Sequence, residues 1–365
     1  MRGQKGSKTL TIYIGSESMI VREHVPLAPL TTLAVGGPAR YFIEAQTEPD
    51  VREAVEFARA RGLRLFVLGG GSNLLVADAG FDGVVLKIAL LGTERVNDGN
   101  DAIFTVAAGE DWDTFVAKAV SEDCAGVECL SGIPGSVGGT PVQNVGAYGQ
   151  EVSETIREVV VLNRQTLQTR VFSSSECGFA YRASIFNTTD RDRYIILRAS
   201  FALRRGGNPK IHYADLQKRF ADSATPTLAQ VRDAVREIRR SKAMLIVPGG
   251  DDSRSAGSFF KNPVVPLKEL EGLDSMLHSR GLVLPNFPAE NGFRKLSAAW
   301  LVEHAGFAKG YTRGAAGIST RHALAIINRG GATAAEIMAL KDEIQTRVRD
   351  EFGIELQPEP MFLGF

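Results

Sequence analysis

The sequence predicts an α+β protein of more than one domain, and three observations lead there. Between Tyr41 and Leu68 a short apolar run, a helix-period stretch and a second apolar run succeed one another, the pattern of a small α/β unit. Between Val159 and Leu203 short runs alternate or stay apolar, as the strands of a β-rich domain do. Two long helix-period stretches, 227–240 and 334–352, frame a third region.

At 365 residues the chain exceeds one simple core, so two or three domains are expected. A hydrophobic content of 44% beside 23% charged residues is that of a soluble globular protein. Acidic and basic residues balance at 42 each, which gives no overall pull toward nucleic acid or a membrane surface. Cys124, Cys129 and Cys177 are odd in number and lack C-x-x-C spacing, which fits a reducing compartment and argues against a disulfide framework or a zinc site. The first eighteen residues are polar and broken by glycine and serine. They read as a disordered tail without the apolar run of a signal peptide. No stretch reaches the length of a membrane span, and a cytoplasmic protein is expected.

Each element has its own local signal. Thr47 with Asp50 three residues on marks a helix start, Val51, Ala54, Val55 and Ala58 form its apolar stripe, and Gly62 ends it. Leu65 to Leu68 and Val84 to Leu86 read as buried strands, and Phe104 to Gly109 as the opening of a second domain. From Asp111 to about Cys124 a helix turns Trp112, Phe115, Val116 and Ala119 inward. Val159–Leu162, Gln168–Phe172 and Tyr194–Leu203 follow as strands, then the 227–240 helix with Val231, Val235 and Ile238. Beyond it come a helix at 296–305, a strand at 323–328, the 334–352 helix on Ile337, Leu340, Ile344 and Val348, and a strand-like close at 355–363.

Two glycine clusters stand out against this background. Gly69-Gly70-Gly71-Ser72-Asn73-Leu74 begins where a strand ends, the place where α/β folds put ligands. It is not a G-x-G-x-x-G fingerprint, because Leu74 stands at the third glycine and no long helix pattern follows. Gly132 to Gly149, GIPGSVGGTPVQNVGAYG, holds six glycines. Residues without Cβ let main-chain N–H groups approach a ligand, and successive N–H groups turned one way make a seat for a diphosphate. A glycine-rich run is also how a surface loop reads, but Pro134, Pro141, Asn144 and Tyr148 argue for a fixed path.

In their order and separations these motifs resemble those of the UDP-N-acetylenolpyruvoylglucosamine reductases, flavoenzymes that make UDP-N-acetylmuramate for peptidoglycan. The resemblance runs from about Leu33 to Leu363. It rests on Thr32-Leu33-Ala34-Val35-Gly36-Gly37, the two glycine clusters, Tyr181-Arg182-Ala183-Ser184-Ile185-Phe186, the Gly257-to-Pro263 block and Pro358-Glu359-Pro360. It implies FAD in the fold of vanillyl-alcohol-oxidase-type flavoproteins: two α/β subdomains, 19–90 and 91–240, holding the cofactor between them. A C-terminal α+β domain, 241–353, would close over the UDP-sugar, with 354–365 returning to the first subdomain.

On the same resemblance the residues that hold FAD would be Gly69, Gly70, Gly71, Ser72, Asn73 and Leu74 in the first cluster. In the second they would be Gly132, Pro134, Gly135, Ser136, Gly138, Gly139, Asn144, Gly146, Ala147 and Tyr148. Neither cluster contains His or Cys, so FAD is expected to be non-covalent. NADPH would supply hydride, and UDP-N-acetylglucosamine enolpyruvate would be the partner. A monomer serving cell-wall biogenesis, and with it cell shape, cell cycle and division, is implied.

Arg182 matches the family's catalytic arginine, and a guanidinium suits a carboxylate on which charge develops. An arginine pairing with an acid at a strand end is the commoner role. Ser258 matches the proton donor; a serine at a Gly-Ser junction is otherwise usually a turn or cap. A serine hydroxyl alone is a poor acid, and Lys242 and Asn262 are candidates to polarise it and to contact substrate. Glu359 matches the third catalytic position, in competition with a plain surface acid between two prolines. Tyr213 resembles the tyrosine that closes over the substrate diphosphate in one subtype, although an aromatic there also reads as core. None of the five histidines forms a metal-spaced pair, so no metal is expected.

Two other readings stay open on sequence alone. One is an FAD-dependent oxidase of the same fold acting on an alcohol or sugar lactone, which would have no need of the 257–263 block or Pro358-Glu359-Pro360. The other is a non-catalytic flavin or nucleotide-sugar binding protein.

Overall fold

Pro38–Ala45 runs into helix α1, Glu48–Ala60, and out through Arg64–Leu68, and the helix starts where its sequence says it should. Thr47 and Asp50 form a complete capping box, Val51, Ala54, Val55, Phe57 and Ala58 are buried, and Gly62 follows at φ +61°. In this computed structural model, which describes residues 9–14, 17–221 and 225–365, that unit belongs to a five-stranded sheet. Its order is Thr9–Ile14, Glu17–Pro26, Pro38–Ala45, Phe81–Ile88, Arg64–Leu68, and the last three are mutually parallel. Part of the segment expected to be a tail is thus a strand. Thr9–Ile14 pairs antiparallel with Glu17–Pro26, as the alternation in TLTIYI allows, and 1–8 and 15–16 lie outside the described residues.

A second, antiparallel sheet carries Thr169–Ser173, Ile156–Asn163, Tyr194–Arg205, Asp101–Ala107 and Thr93–Asp98 in that spatial order, with Cys124–Ala125 on the end of Tyr194–Arg205. Helix α2, Trp112–Ser121, is capped by Asp111 and lays Trp112, Phe115, Val116 and Ala119 on it. The Phe115 and Phe201 rings are 5.0 Å apart, and Trp112 donates its indole N–H to the Leu130 carbonyl at 3.1 Å. That bond fixes one end of the long glycine stretch to the core. The two sheets share one hydrophobic core. Helix α1 joins them through Arg59 to the Arg164 carbonyl and Glu48 to Arg198, the latter at 2.7 Å. Helices α3, Ala214–Arg219, and α4, Leu228–Ser241, complete this unit, whose described residues fall within 9–25, 39–71 and 81–241.

A second compact unit comprises 26–38, 72–80 and 242–365. Two insertions from the N-terminal half therefore belong with the C-terminal half. Leu74–Val76 pairs parallel with Met361–Leu363, the only part of 355–363 that is regular strand. Helix α5, Leu267–Ser279, and α6, Ala298–His304, pack with α7, Ala334–Phe352, around Leu270, Leu301, Ile337, Leu340, Ile344 and Val348. The Asp78 carboxylate accepts the Ala334 and Ala335 N–H groups at 2.7 and 2.9 Å, and Thr333 with Glu336 closes a capping box. The negative charge of Asp78 thus satisfies the first turn of α7 and opposes its dipole. The expected helix at 296–305 is shorter, because Phe293–Leu296 is a strand. The expected strand at 323–328 keeps only Ile326–Asn328, since Ala325 donates back to His322 in a turn.

Candidate active site

In the N-terminal unit the two glycine clusters meet. A Cβ on Gly70 would lie 2.5 Å from Gly135 Cα and 3.0 Å from Ser136 N, and one on Gly69 would lie 2.7 Å from Ser136 Oγ. Two main chains can approach this closely only without side chains. Lys87, half-buried in Phe81–Ile88, donates to the Gly69 carbonyl beneath this contact, and burial lowers its pKa from the lysine value. Asp111 bridges Ser136, and Trp112 N–H donates to Gly135 O at 3.0 Å, so the second turn is anchored from α2. Bare backbone from two turns with a lysine behind them is a donor set that fits a diphosphate.

The rest of the predicted cradle divides by role. Gly138 N–H donates to Ala108 O and Gly139 N–H to Ser136 O, so both are used inside the protein. Gly138 is glycine for packing, since its Cβ would lie 2.5 Å from that of Ala108. Asn144, 1% exposed at φ +46°, donates to Glu151 and to the Ala180 carbonyl and accepts from Ser153 N–H. It holds the loop's path. Gly146-Ala147 and Gln150-Glu151 form a hairpin whose turn residues, Tyr148 and Gly149, both have positive φ, the geometry of a type I′ turn. In the first cluster, Gly71 closes the N-terminal unit at φ +66°, whereas Ser72, Asn73 and Leu74 belong to the other unit. There Asn73 donates to the Glu359 carbonyl and accepts from Met361 N–H, and Leu74 is buried in a strand.

Arg182 sits at the tip of a tight turn. Ala180 and Ala183 exchange both backbone hydrogen bonds, at 3.0 and 3.1 Å, and Arg182 takes φ +54° at the position where glycine or asparagine is usual. Holding arginine there costs energy, and such strain gathers at functional sites. Ser184 fixes the turn by donating to Val142 O at 2.6 Å, Phe186 is core, and Arg182 donates to Gly146 O at 2.9 Å. The arginine and the second glycine cluster are therefore joined directly.

The C-terminal unit gathers other predicted residues. Ser258 follows Gly257 at φ +74° and its Oγ lies 3.0 Å from His322 Nε2. Glu359 N–H donates to the Phe259 carbonyl at 2.9 Å, and Phe260 bridges Pro358, so Ser258 and Glu359 lie on joined segments. Phe259 and Phe260 behind them are 0% and 2% exposed. Asn262 Oδ1 accepts from Ala298 N–H at 3.0 Å, at the start of α6, which fixes the orientation of its amide. Lys242, half-buried, opens this unit just after α4.

The chain matches the family profile described as FAD binding domain over residues 39–166, and that of the UDP-N-acetylenolpyruvoylglucosamine reductase C-terminal domain over 250–363. It is 46% identical over 349 residues to the UDP-N-acetylenolpyruvoylglucosamine reductase of Thermobifida fusca, covering 93% of this chain and 97% of that one. The chain belongs to the UDP-N-acetylenolpyruvoylglucosamine reductase family. The reductase of Nocardia farcinica is 45% identical over 94% of this chain and 90% of its own length. The crystal structure of the reductase from Thermus caldophilus superposes with a TM-score of 0.64 at 27% identity, over 94% of this chain and 99% of that one. The reductase family is one of flavin-dependent oxidoreductases of peptidoglycan precursor synthesis, and the α+β FAD-binding fold expected from sequence is the fold found.

Three groups beside these residues were given no role from sequence. Lys87 and His322 are two. The third is a row of arginines on α4. Arg232 and Arg236 pair with Asp113, whose other partner is Gly132 N–H at 2.7 Å, and Arg239 donates Nε–H to Gly132 O at 3.1 Å. Arg239 is 5% exposed; burial lowers its pKa, and a hydrogen bond with Tyr148 opposes that. The Tyr148 ring meets that of Tyr213, which precedes α3, edge-on at 5.2 Å. The start of the glycine stretch is thus gripped from α2 and α4.

Burial works against charging Asp113, but the Arg232 hydrogen bond, the Gly132 N–H and the arginine charges outweigh it and hold its pKa below the ordinary value. A depressed carboxylate pKa adds stability that is present above the unfolded value, about 3.9, and is lost as pH falls through the folded one. Asp113→Asn is expected to lower stability at pH 7 by about 1.5–3 kcal/mol. In denaturant titrations the gap to the parent should shrink below about pH 4; a gap constant with pH would remove Asp113 as an ionised latch.

Proposed function

We propose that this chain reduces the enolpyruvyl double bond of UDP-N-acetylglucosamine enolpyruvate with hydride from NADPH, through FAD, to give UDP-N-acetylmuramate. The observation that carries the reading is identity of 46% along almost the full length of a reductase, with the two glycine turns in direct contact. FAD, when bound, would supply the hydride transfer that links NADPH to the β-carbon of the enol ether. The chain's own residues do the rest. Gly69, Gly70, Gly135 and Ser136, with Lys87, hold the cofactor's diphosphate, and Asn144 and Gly138 keep that cradle in shape. FAD is held non-covalently: neither cluster contains His or Cys, and Cys177, for example, is buried with its thiol pushed up to about 12.

As hydride adds, negative charge moves from the double bond into the carboxylate and the α-carbon needs a proton. The Arg182 fork meets that carboxylate and remains charged throughout. Ser258 Oγ–H delivers the proton. Glu359 takes the third catalytic place, where it must be protonated or neutralised by Arg182 for a dianion to form. Lys242 neutralises phosphate, Asn262 contributes its Nδ2, and Tyr213 closes over the diphosphate, as in the subtype with a covering tyrosine loop. The enzyme acts as a monomer in the cytoplasm, and through cell-wall biogenesis it bears on cell shape, cell cycle and division. No helix among the described residues is long and apolar enough to cross a membrane.

Steady NADPH consumption that depends on the enolpyruvyl sugar tests the reading, and a reduced enzyme reoxidised faster by air than by that sugar would replace it with an oxidase. Arg182→Lys keeps charge and backbone but loses the fork. Its flavin reoxidation by the sugar is expected to slow roughly ten- to a hundredfold, with reduction by NADPH unchanged. Equal rates in both proteins would take Arg182 out of the mechanism.

A further inference from the structure

A serine hydroxyl is a poor general acid near neutral pH unless the charge it leaves behind is stabilised, so the partner of Ser258 Oγ matters. That partner is His322 Nε2, at 3.0 Å. The imidazole comes from a turn held on several sides. Ser319, fully buried, accepts N–H from Arg321 and His322 at 3.1 and 3.2 Å and donates to the Asp252 carboxylate at 2.9 Å. Thr320 donates to the same carboxylate oxygen, and Ala325 N–H donates to the His322 carbonyl. The Leu324 carbonyl in this turn accepts Phe259 N–H at 2.7 Å, one residue beyond Ser258. The turn and the serine segment are therefore one assembly, and His322 is presented to Ser258 by backbone bonds at both ends.

We infer that His322 is the positioning residue for the proton donor: its Nε2–H donates to Ser258 Oγ, leaving the serine hydrogen directed at the substrate. This rests on the reading of Ser258 as the acid. A hydroxyl has one hydrogen to give and lone pairs to accept with. If Ser258 directed that hydrogen at His322, none would be left for the α-carbon, so Nε2 carries the hydrogen in this pair. When the proton goes to the α-carbon, the O–H bonding electrons stay on Oγ, where the N–H bond stabilises them. The oxygen then regains a proton from water. The imidazole keeps its own hydrogen throughout and acts as a fixed donor to a developing oxyanion.

Anaerobic stopped-flow of the FAD-loaded enzyme separates the outcomes. His322→Ala, or His322→Leu where alanine does not fold, is expected to slow reoxidation of reduced flavin by the enolpyruvyl sugar roughly a hundredfold. Reduction by NADPH and the sugar's Kd, read from the flavin spectrum, stay as in the parent. His322→Gln carries an amide N–H at similar reach and should recover to within about tenfold of the parent. Three results overturn the inference: His322→Ala reoxidised at the parent rate, His322→Gln no faster than His322→Ala, or a loss that appears in the sugar's Kd and not in the rate. Ser258→Ala in the same experiment keeps the two readings apart. If it reoxidises normally, the reading of Ser258 fails and takes this one with it; if it is slow beside a normal His322→Ala, only the role given to His322 fails.

Discussion

Ser258→Ala leaves reduction by NADPH intact and slows transfer to the enolpyruvyl sugar by about two to four orders of magnitude, the range for removing a positioned acid. The substitution is clean because the backbone around it does not depend on the hydroxyl. Phe259 N–H is held by Leu324 O, Lys261 N–H by Gln357 O, and Phe260 bridges Pro358. Deleting Oγ removes its bond to His322, for about 1 kcal/mol of stability, and opens no hole in the wall made by Phe259 and Phe260. The measurement is the pair of half-reaction rates by anaerobic stopped-flow, with the thermal midpoint as a control for folding. If both half-reactions slow together, the hydroxyl serves folding or cofactor placement and the proton comes from elsewhere.

What the sequence made legible follows from how local each signal is. Helix α7 spans the residues its periodicity marked, with all four stripe residues buried, because cap, stripe and Gly353 lie within one continuous segment. The capping box of α1 is likewise three residues wide. Helix α5 escaped because its N-cap is Pro266 with no side-chain cap, Gly272 interrupts it, and only Leu270, Leu273 and Leu277 are buried. In the candidate site the residues were legible as types and not as partners. Ser258 and His322 are 64 residues apart in sequence, and nothing local in either announces the other. Asn144 and Asn262 illustrate the same limit: an asparagine in a loop reads equally as ligand contact or as clamp, and only the fold shows Asn262 at the start of α6 and Asn144 tying three segments. The first glycine cluster read as one motif, yet its halves serve different units, because a turn of the chain after Gly71 cannot be seen in residue types.

Gly70→Ala is expected to lower FAD affinity by roughly ten- to a hundredfold, or 1.4–2.8 kcal/mol, while Gly69→Ala costs less than tenfold. One methyl is added in each, and the difference lies in what it meets. At Gly70 the new carbon would lie 2.5, 2.8 and 3.0 Å from Gly135 Cα, Gly135 C and Ser136 N, all main chain. Carbon contacts are comfortable near 3.5–4.0 Å, so the turns must part by about 1 Å. No rotamer change can absorb that, and the second turn is tied to α2 through Trp112 N–H. At Gly69 the obstacle is Ser136 Oγ at 2.7 Å, a side-chain atom that can rotate aside. Neither glycine has a positive φ, so steric crowding and not backbone strain separates the two. FAD titration by fluorescence quenching of apoprotein, alongside thermal unfolding, reads both terms. Parent-like FAD affinity in Gly70→Ala would mean that the diphosphate does not rest on these two turns, and the assignment of the cradle would have to move.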